Sequence, residues 1–519
     1  MAGGLLQLVA YGAQDIYISG NPQITFWKIL YKRHTNFAME SIEVTFNGQA
    51  DFNKRVTAVI NRNADLMFRT YVQVVLPEVD LTKETLYNSF RWVNYIGHRL
   101  IQQVELEIGG QRIDRQYGDW MQIWTQLSTE AGQVPALDSL VGNTHDLVLL
   151  KTRLGQALGD TCAPDELTMS CLGRAGTPAK TLYIPLQFWF CRNPGLAIPL
   201  IALQYHEVRL NVTFDTWENC TFALNLGGSA QRPTAKSLAA CSLYVDYVYL
   251  DTEERRRFAQ QSHEYLIEQV QYTGAESITS SSNKIQLNFN HPVKELLWVV
   301  QRDSFVDCSN PQWLAVAGGQ QPFNYSDDFS TEGTIMSLLS RAGTSTNTGT
   351  GGISSATGSL GKMSLGPNNI TGYDGDEGRA TGDEATVFDT GVNYLLAKVI
   401  LASGVRCEGK NPVEVAKLQL NGQDRFTERE GSYFDKVQPY QHHTRTPSTG
   451  INVYSFSLRP EEHQPSGTCN FSRIDKATLQ LTVSVNTVTG GNTAQVRVYA
   501  LNYNVLRVMS GMGGLAYSN

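Results

Sequence analysis

Nine histidines, eight cysteines and 49 acidic residues are the raw material from which this chain could build a catalytic or metal site. Their spacing argues against one. His442 and His443 are adjacent, and neighbouring side chains on a strand project to opposite faces, so one ion could not easily take both. His463 lies further along. The cysteines, at 162, 171, 191, 220, 241, 308, 407 and 469, form no CxxC pair and no zinc-type spacing with histidine. The stretch DGDEG (374–378) offers Asp374, Asp376 and Glu377 as oxygen ligands. It lacks the third alternating acid and the closing glutamate of an EF-hand, so it reads as a solvated acidic loop. Neither GxxxxGK[ST] nor GxSxG occurs. Acidic residues are too numerous for one pair to be singled out as a glycosidase dyad. The sequence therefore nominates no catalytic residue, no metal ligand and no cofactor. EERRR (253–257) mixes its signs and reads as an ion-pair cluster.

Composition narrows the class. The chain has 519 residues and a formal net charge of −7. A protein that coats nucleic acid gains its affinity by neutralising phosphates, so direct genome binding is not expected. The first residues carry no basic n-region, and LLQLVA is short for a secretory core, so no leader is expected and the cysteines should stay reduced. The apolar run YIPLQFWFCRNPGLAIPLIAL is broken by Arg192, Asn193 and three prolines, which excludes a membrane helix.

The elements that must position any function are strands. In QVELEIGGQRI, Val104, Leu106 and Ile108 point one way and Glu105 and Glu107 the other. HEVRLNVTF sets Val208, Leu210, Val212 and Phe214 against polar neighbours. ATLQLTVSV does the same with Leu479, Leu481, Val483 and Val485. Gly109-Gly110 and Asn421-Gly422 are hairpin-turn signals. YGDWMQIWTQL is the exception: Trp120, Ile123, Trp124 and Leu127 recur at helical spacing, which predicts a short helix covering a sheet end.

The pattern happens twice. INRNADLMF (60–68) is echoed by FNHPVKELL (289–297), and VELEIGGQRI (104–113) by KLQLNGQDRF (417–426). HEVRLNV (206–212) is echoed by ATLQLTV (477–483), and DYVYLDTEERRR (246–257) loosely by RVYALNYNVLR (497–507), Tyr249 over Tyr499. Four weak similarities in the same order imply a duplicated β domain. The expected division is an amino-terminal arm over 1–25, a first domain over 26–258 and a second over 259–519. The second would carry a long surface loop at about 303–395, whose Gly/Ser/Thr-rich part (341–386) is too polar to bury itself.

The arm itself is unusual. MAGGLLQLVAYGAQ has no charged side chain, and GNPQITFWKILYKRHTNF then crowds aromatic, apolar and basic residues together. The whole segment MAGGLLQLVAYGAQDIYISGNPQITFWKILYKRHTNFAMESI closely resembles the amino terminus of major capsid proteins of nucleocytoplasmic large DNA viruses. NHPVKELLWVVQ (290–301), LQLNGQDRF (418–426) and YALNYNVLRVMSGMGGLAYSN (499–519) are similar to that family's second-domain motifs and carboxyl terminus.

The resemblance implies an all-β fold of two tandem eight-stranded antiparallel jelly rolls, with a few short helices in loops. It also implies no enzyme activity but a structural role: a homotrimer forming a pseudo-hexagonal capsomer of an icosahedral shell. Partners would be neighbouring capsomers, minor capsid and penton proteins, and an inner viral membrane. The location would be the virion, after assembly in the host cytoplasm. The candidate assembly arm comprises Ile24, Phe26, Trp27, Lys28, Tyr31, Lys32 and Arg33, its apolar part buried between domains or against a minor capsid protein and its basic part at the rim. Against this stands the reading in which Ile24, Phe26 and Ile29 are the first core residues and the basic side chains are merely solvated. The functional alternative is a carbohydrate-binding or glycan-cleaving β-sandwich, its 23 tyrosines and 8 tryptophans stacking on sugars.

Overall fold

The computed structural model describes residues 3–27, 32–87, 89–148, 151–152, 176–224, 230–306, 320–327, 410–488 and 492–517. Nearly all of the expected 303–395 loop lies outside them, including 341–386 and DGDEG. Of the cysteines, Cys191, Cys220, Cys241 and Cys469 are described, and all four are free thiols.

Eight strands make the two main sheets of the first unit, with shorter strands such as Ser89–Trp92 and Thr221–Leu224 in a separate small sheet: β1 (Phe37–Val44), β2 (Arg55–Ile60), β3 (Leu66–Leu76), β4 (Ile101–Ile108), β5 (Gln111–Tyr117), β6 (Lys180–Pro185), β7 (Val208–Phe214) and β8 (Ala240–Leu250). They form two antiparallel sheets in the orders β1-β8-β3-β6 and β2-β7-β4-β5. Eight more build the second: β9 (His263–Ile278), β10 (Ser282–Leu287), β11 (Pro292–Arg302), β12 (Val413–Leu420), β13 (Gln423–Glu430), β14 (Ile451–Ser455), β15 (Ala477–Val483) and β16 (Ala494–Met509). Their orders are β9-β16-β11-β14 and β10-β15-β12-β13. Each strand of the second unit thus occupies the place of the strand eight earlier. Two sheets with this interleaved order are a jelly roll. The four echoed segments all fall on corresponding strands.

The alternation does what pleating requires. Val104, Leu106, Ile108, Val208, Leu210 and Val212 are buried in the first core; Leu479, Leu481 and Val483 are buried in the second. Two details differ from the sequence reading. Alternation places Glu105 on a polar face, yet it is buried, because Arg55, Arg112 and Arg115 converge on its carboxylate. Val485 leaves the strand and is exposed, since β15 ends at Val483 and a helical turn follows.

The β4–β5 and β12–β13 hairpins use the same turn. Gly109 and Gly110 have φ of 59° and 83°, and Asn421 and Gly422 have 51° and 81°. Positive φ at both central residues matches the right-handed twist of the flanking strands, and glycine or asparagine adopts it at least cost. Between the rolls runs helix α2 (Thr252–Gln260), capped by Asp251. Its EERRR segment pairs within the first roll, Arg255 lying 3.0 Å from buried Asp65, and locally, Arg256 to Glu253 at 3.7 Å.

Candidate assembly interface

The helix foreseen at YGDWMQIWTQL exists as α1 (Gly118–Ser128), directly after β5. Its start is tightly placed: a Cβ on Gly118 would come within 2.2 Å of the His98 carbonyl oxygen. Its destination was not foreseen. Met121 reaches back into the first core, while Trp120, Ile123, Trp124 and Leu127 pack on the outer face of the second roll. They meet Val270 of β9, Tyr499 and Leu501 of β16, Leu297 and Val299 of β11, and Ile451 and Val453 of β14. One helix therefore spans a whole four-stranded sheet. Trp120 and Trp124 stack 5.6 Å apart, and Tyr272 stacks on Tyr499 at 4.8 Å.

Polar contacts fix the register of this seam. The Val270 amide donates to Asp114 Oδ1 at 3.1 Å, and Gln269 Nε2 donates to the Ile113 carbonyl. The edge of β5 is thus tied to β9. Burial pushes the Asp114 carboxyl up to about 7, against the lowering effect of the hydrogen bonds it accepts. At the other end of α1, Arg445 of the second roll donates from Nε to the Gln126 carbonyl at 2.8 Å and from its amide to the Leu127 carbonyl at 3.0 Å. These are carbonyls that a helix terminus leaves without an internal partner. Asp119, in the first turn, pairs with Arg497 of β16.

Beneath the tryptophans lies a buried charge network. Lys294 is fully buried and lies 2.6 Å from Glu268 Oε1. Arg192 of the first roll lies 3.0 Å from Glu268 Oε2 and sits over the Trp124 ring at 4.7 Å. His443 Nε2 lies 3.0 Å from Glu295 Oε2, and His443 Nδ1 lies 2.9 Å from Glu461 Oε1. The Nε2–Oε2 pair is close but misaligned for a hydrogen bond, so it acts as a charge contact. Burial would push His443 down, but the two carboxylates outweigh it and hold the imidazole up at about 9. Carboxylates of Glu268, Glu295 and Glu461 then balance Arg192, Lys294 and protonated His443. Sequence reasoning considered His443 only as a metal ligand. Among the described residues no group of three or more His, Cys, Asp or Glu could hold a metal ion. A polar cleft of about 420 Å³ also opens at the seam, and its two arginines are already paired, Arg99 with Asp215 at 3.4 Å and Arg497 with Asp119.

The arm stands apart from all this. Ile24, Phe26 and Trp27 are 85%, 100% and 86% exposed, and Lys32 and Arg33 are also exposed. Ile24 and Phe26 are therefore not core residues of the single chain. Lys28, Ile29 and Tyr31 lie outside the described residues. Upstream, Gly3–Val9 and Ile16–Ser19 are helical with no buried side chain.

Comparison with known proteins agrees with this architecture. Residues 254–514 match the family described as large eukaryotic DNA virus major capsid protein, and residues 25–251 match the major capsid protein N-terminus family. The major capsid protein of Phaeocystis pouchetii virus is 57% identical, with 100% of both chains covered. A chain of the PBCV-1 virus capsid is 34% identical with a TM-score of 0.62, over 95% of this chain and 100% of that one. The Faustovirus major capsid protein, 12% identical with a TM-score of 0.63 over 96% and 94%, shares the fold. With both halves and the full length accounted for, the chain belongs to the major capsid protein family of large eukaryotic DNA viruses.

Proposed function

We propose that this chain is the shell-building subunit of a large DNA virus and that three copies close into a capsomer with six similar wedges. The observation that carries the reading is the repeated strand order, β1-β8-β3-β6 with β2-β7-β4-β5 and then β9-β16-β11-β14 with β10-β15-β12-β13. A trimer of such chains fills a six-neighbour lattice position while leaving two kinds of wedge free to differ. We divide the chain into an arm over 1–25, a first roll over 26–258 and a second over 259–519, with α2 as the connection between rolls. Assembly belongs in the host cytoplasm, and neighbouring capsomers, minor capsid and penton proteins and an inner membrane are the partners. The role is structural and needs no catalysis. A glycan-binding or glycan-cleaving sandwich gains no support from the relatives, which are named capsid proteins at high identity.

The exposed arm fits this role. Burying Ile24, Phe26 and Trp27 against a neighbouring subunit or a minor capsid protein removes from water apolar surface that the single chain leaves uncovered, while the exposed Lys32 and Arg33 stay at the rim. Native mass spectrometry at micromolar concentration tests the reading: trimers support it and monomers alone contradict it. Deleting residues 2–24 should leave trimers that assemble poorly into particles. Normal particles from that deletion would remove the arm from the account.

A further inference from the structure

The seam inside one chain is built from parts that occur twice, and the second set is unused. In the first roll, β5 leads into α1, and α1 covers the outer face of β9-β16-β11-β14. In the second roll, the equivalent strand β13 leads into a π-helical segment (Tyr433–Val437) continued by helix α3 (Gln438–His442). Phe434 anchors this helix in its own core, and Gln438 Oε1 accepts from the Ser455 amide at 3.1 Å. Its other side presents Lys436, Val437 and Tyr440 to solvent, Tyr440 being 82% exposed.

The face that such a helix would cover is also open. On β1-β8-β3-β6, Leu243, Val245, Val72, Val74, Leu182 and Ile184 point inward. The alternate residues put Tyr244, Tyr71 and Tyr183 outward. Tyr71 and Tyr244 stack 5.3 Å apart with 1° between planes, and Tyr183 meets Tyr71 edge-on at 5.9 Å. Glu43, in register with Tyr244 on β1, is exposed at the margin. This is an aromatic platform with an acidic edge. It occupies the place where Tyr272, Tyr499 and Leu297 form the covered platform of the second roll.

We infer that the helix over 433–442 of one copy seats on the Tyr71–Tyr183–Tyr244 face of the first roll of a second copy, Tyr440 and Val437 meeting the rings and Lys436 meeting Glu43. This rests on the three-copy reading above and names its contact. Continuity with the internal seam identifies the occupant as the same chain, because the same element covers the same sheet face one roll earlier. The charges supply direction. Inside the chain the helix brings the acid, Asp119, to a basic sheet residue, Arg497. Between copies the helix brings the base, Lys436, and the sheet the acid, Glu43. The second-roll sheet cannot receive this helix, because α1 of its own chain already covers that face and Asp119 already pairs with Arg497. Repeating the contact head to tail closes a ring.

Charge exchange tests it. The wild-type chain, K436E, E43K, the K436E/E43K pair and Y440E are compared by native mass spectrometry over a concentration series, with circular dichroism confirming that each is folded. All the altered side chains are exposed, so the rolls should stay intact. K436E and Y440E should each raise the concentration for half-assembly at least tenfold, and the double exchange should recover most of the K436E loss. Wild-type trimers that survive Y440E and K436E unchanged would overturn the docking face and leave the three-copy reading standing. A wild-type chain that stays monomeric would overturn both.

Discussion

His443 is clamped between two carboxylates, Glu295 on β11 at 3.0 Å and Glu461 at 2.9 Å, with the Trp124 ring of the other roll 6.5 Å away. A buried imidazole held in this way prefers its proton. Its value is about 9 in the fold against 6.5 as a free side chain. The stability it contributes is fully present below about pH 6.5 and is lost as pH rises through about 9. Thermal unfolding between pH 7 and 9.5 should therefore show a falling Tm, and His443→Gln should flatten that slope. An unchanged slope in the variant would remove His443 from the alkaline response.

Asp114 gives a second, separate step. Burial raises its carboxyl to about 7, so the fold favours the protonated acid. That contribution is complete below about pH 3.8 and is lost as pH rises through about 7. Asp114→Asn should reduce the pH dependence of stability between pH 5 and 7 and leave the alkaline step of His443 in place. Denaturant midpoints across that range measure it, and an identical profile in both proteins would contradict it.

Aromatic residues at the seam and in the arm should behave oppositely. Trp124 is fully buried between the rolls and carries Arg192 on its face. Trp124→Ala should cost about 3–5 kcal/mol in chemical denaturation. Trp27→Ala, at an exposed position, should change the stability of the isolated chain by less than about 0.5 kcal/mol. A large loss from the arm substitution would mean that Trp27 packs within its own chain.

The duplicated hairpin makes a prediction about equivalence. Gly110 and Gly422 have φ of 83° and 81°, and a Cβ at either meets no atom within 4 Å. The cost of alanine is then backbone strain alone, about 1–2 kcal/mol at each site. Equilibrium denaturation of G110A and G422A should give matching losses, whereas a clear difference would mean that the turns are supported differently.

Much of the fold was legible because strand alternation and Gly-Gly or Asn-Gly turns are local signals. Val104, Leu106 and Ile108 declare a face from their spacing alone, and the order of four echoed segments exposed the duplication. The seam was harder to read. The spacing of Trp120, Ile123, Trp124 and Leu127 announced a helix, but periodicity says nothing about which roll receives its apolar side. Glu105 looked solvent-facing because the arginines that bury it come from other strands. His443, Glu295 and Glu461 are scattered in sequence and meet only through tertiary packing. The adjacency of His442 and His443, read as evidence against a shared metal, carried no sign of carboxylates on both sides of one ring. The arm is the reverse case: apolar crowding around Phe26 and Trp27 suggests a core, yet both are exposed in the single chain.

Averaged electron micrographs of the purified full-length chain measure the central proposal most directly. Hexagonal outlines built from three chains, each supplying two wedges, are the expected result. Particles with the mass of one chain, or closed rings whose number of wedges is not twice three chains, would contradict it.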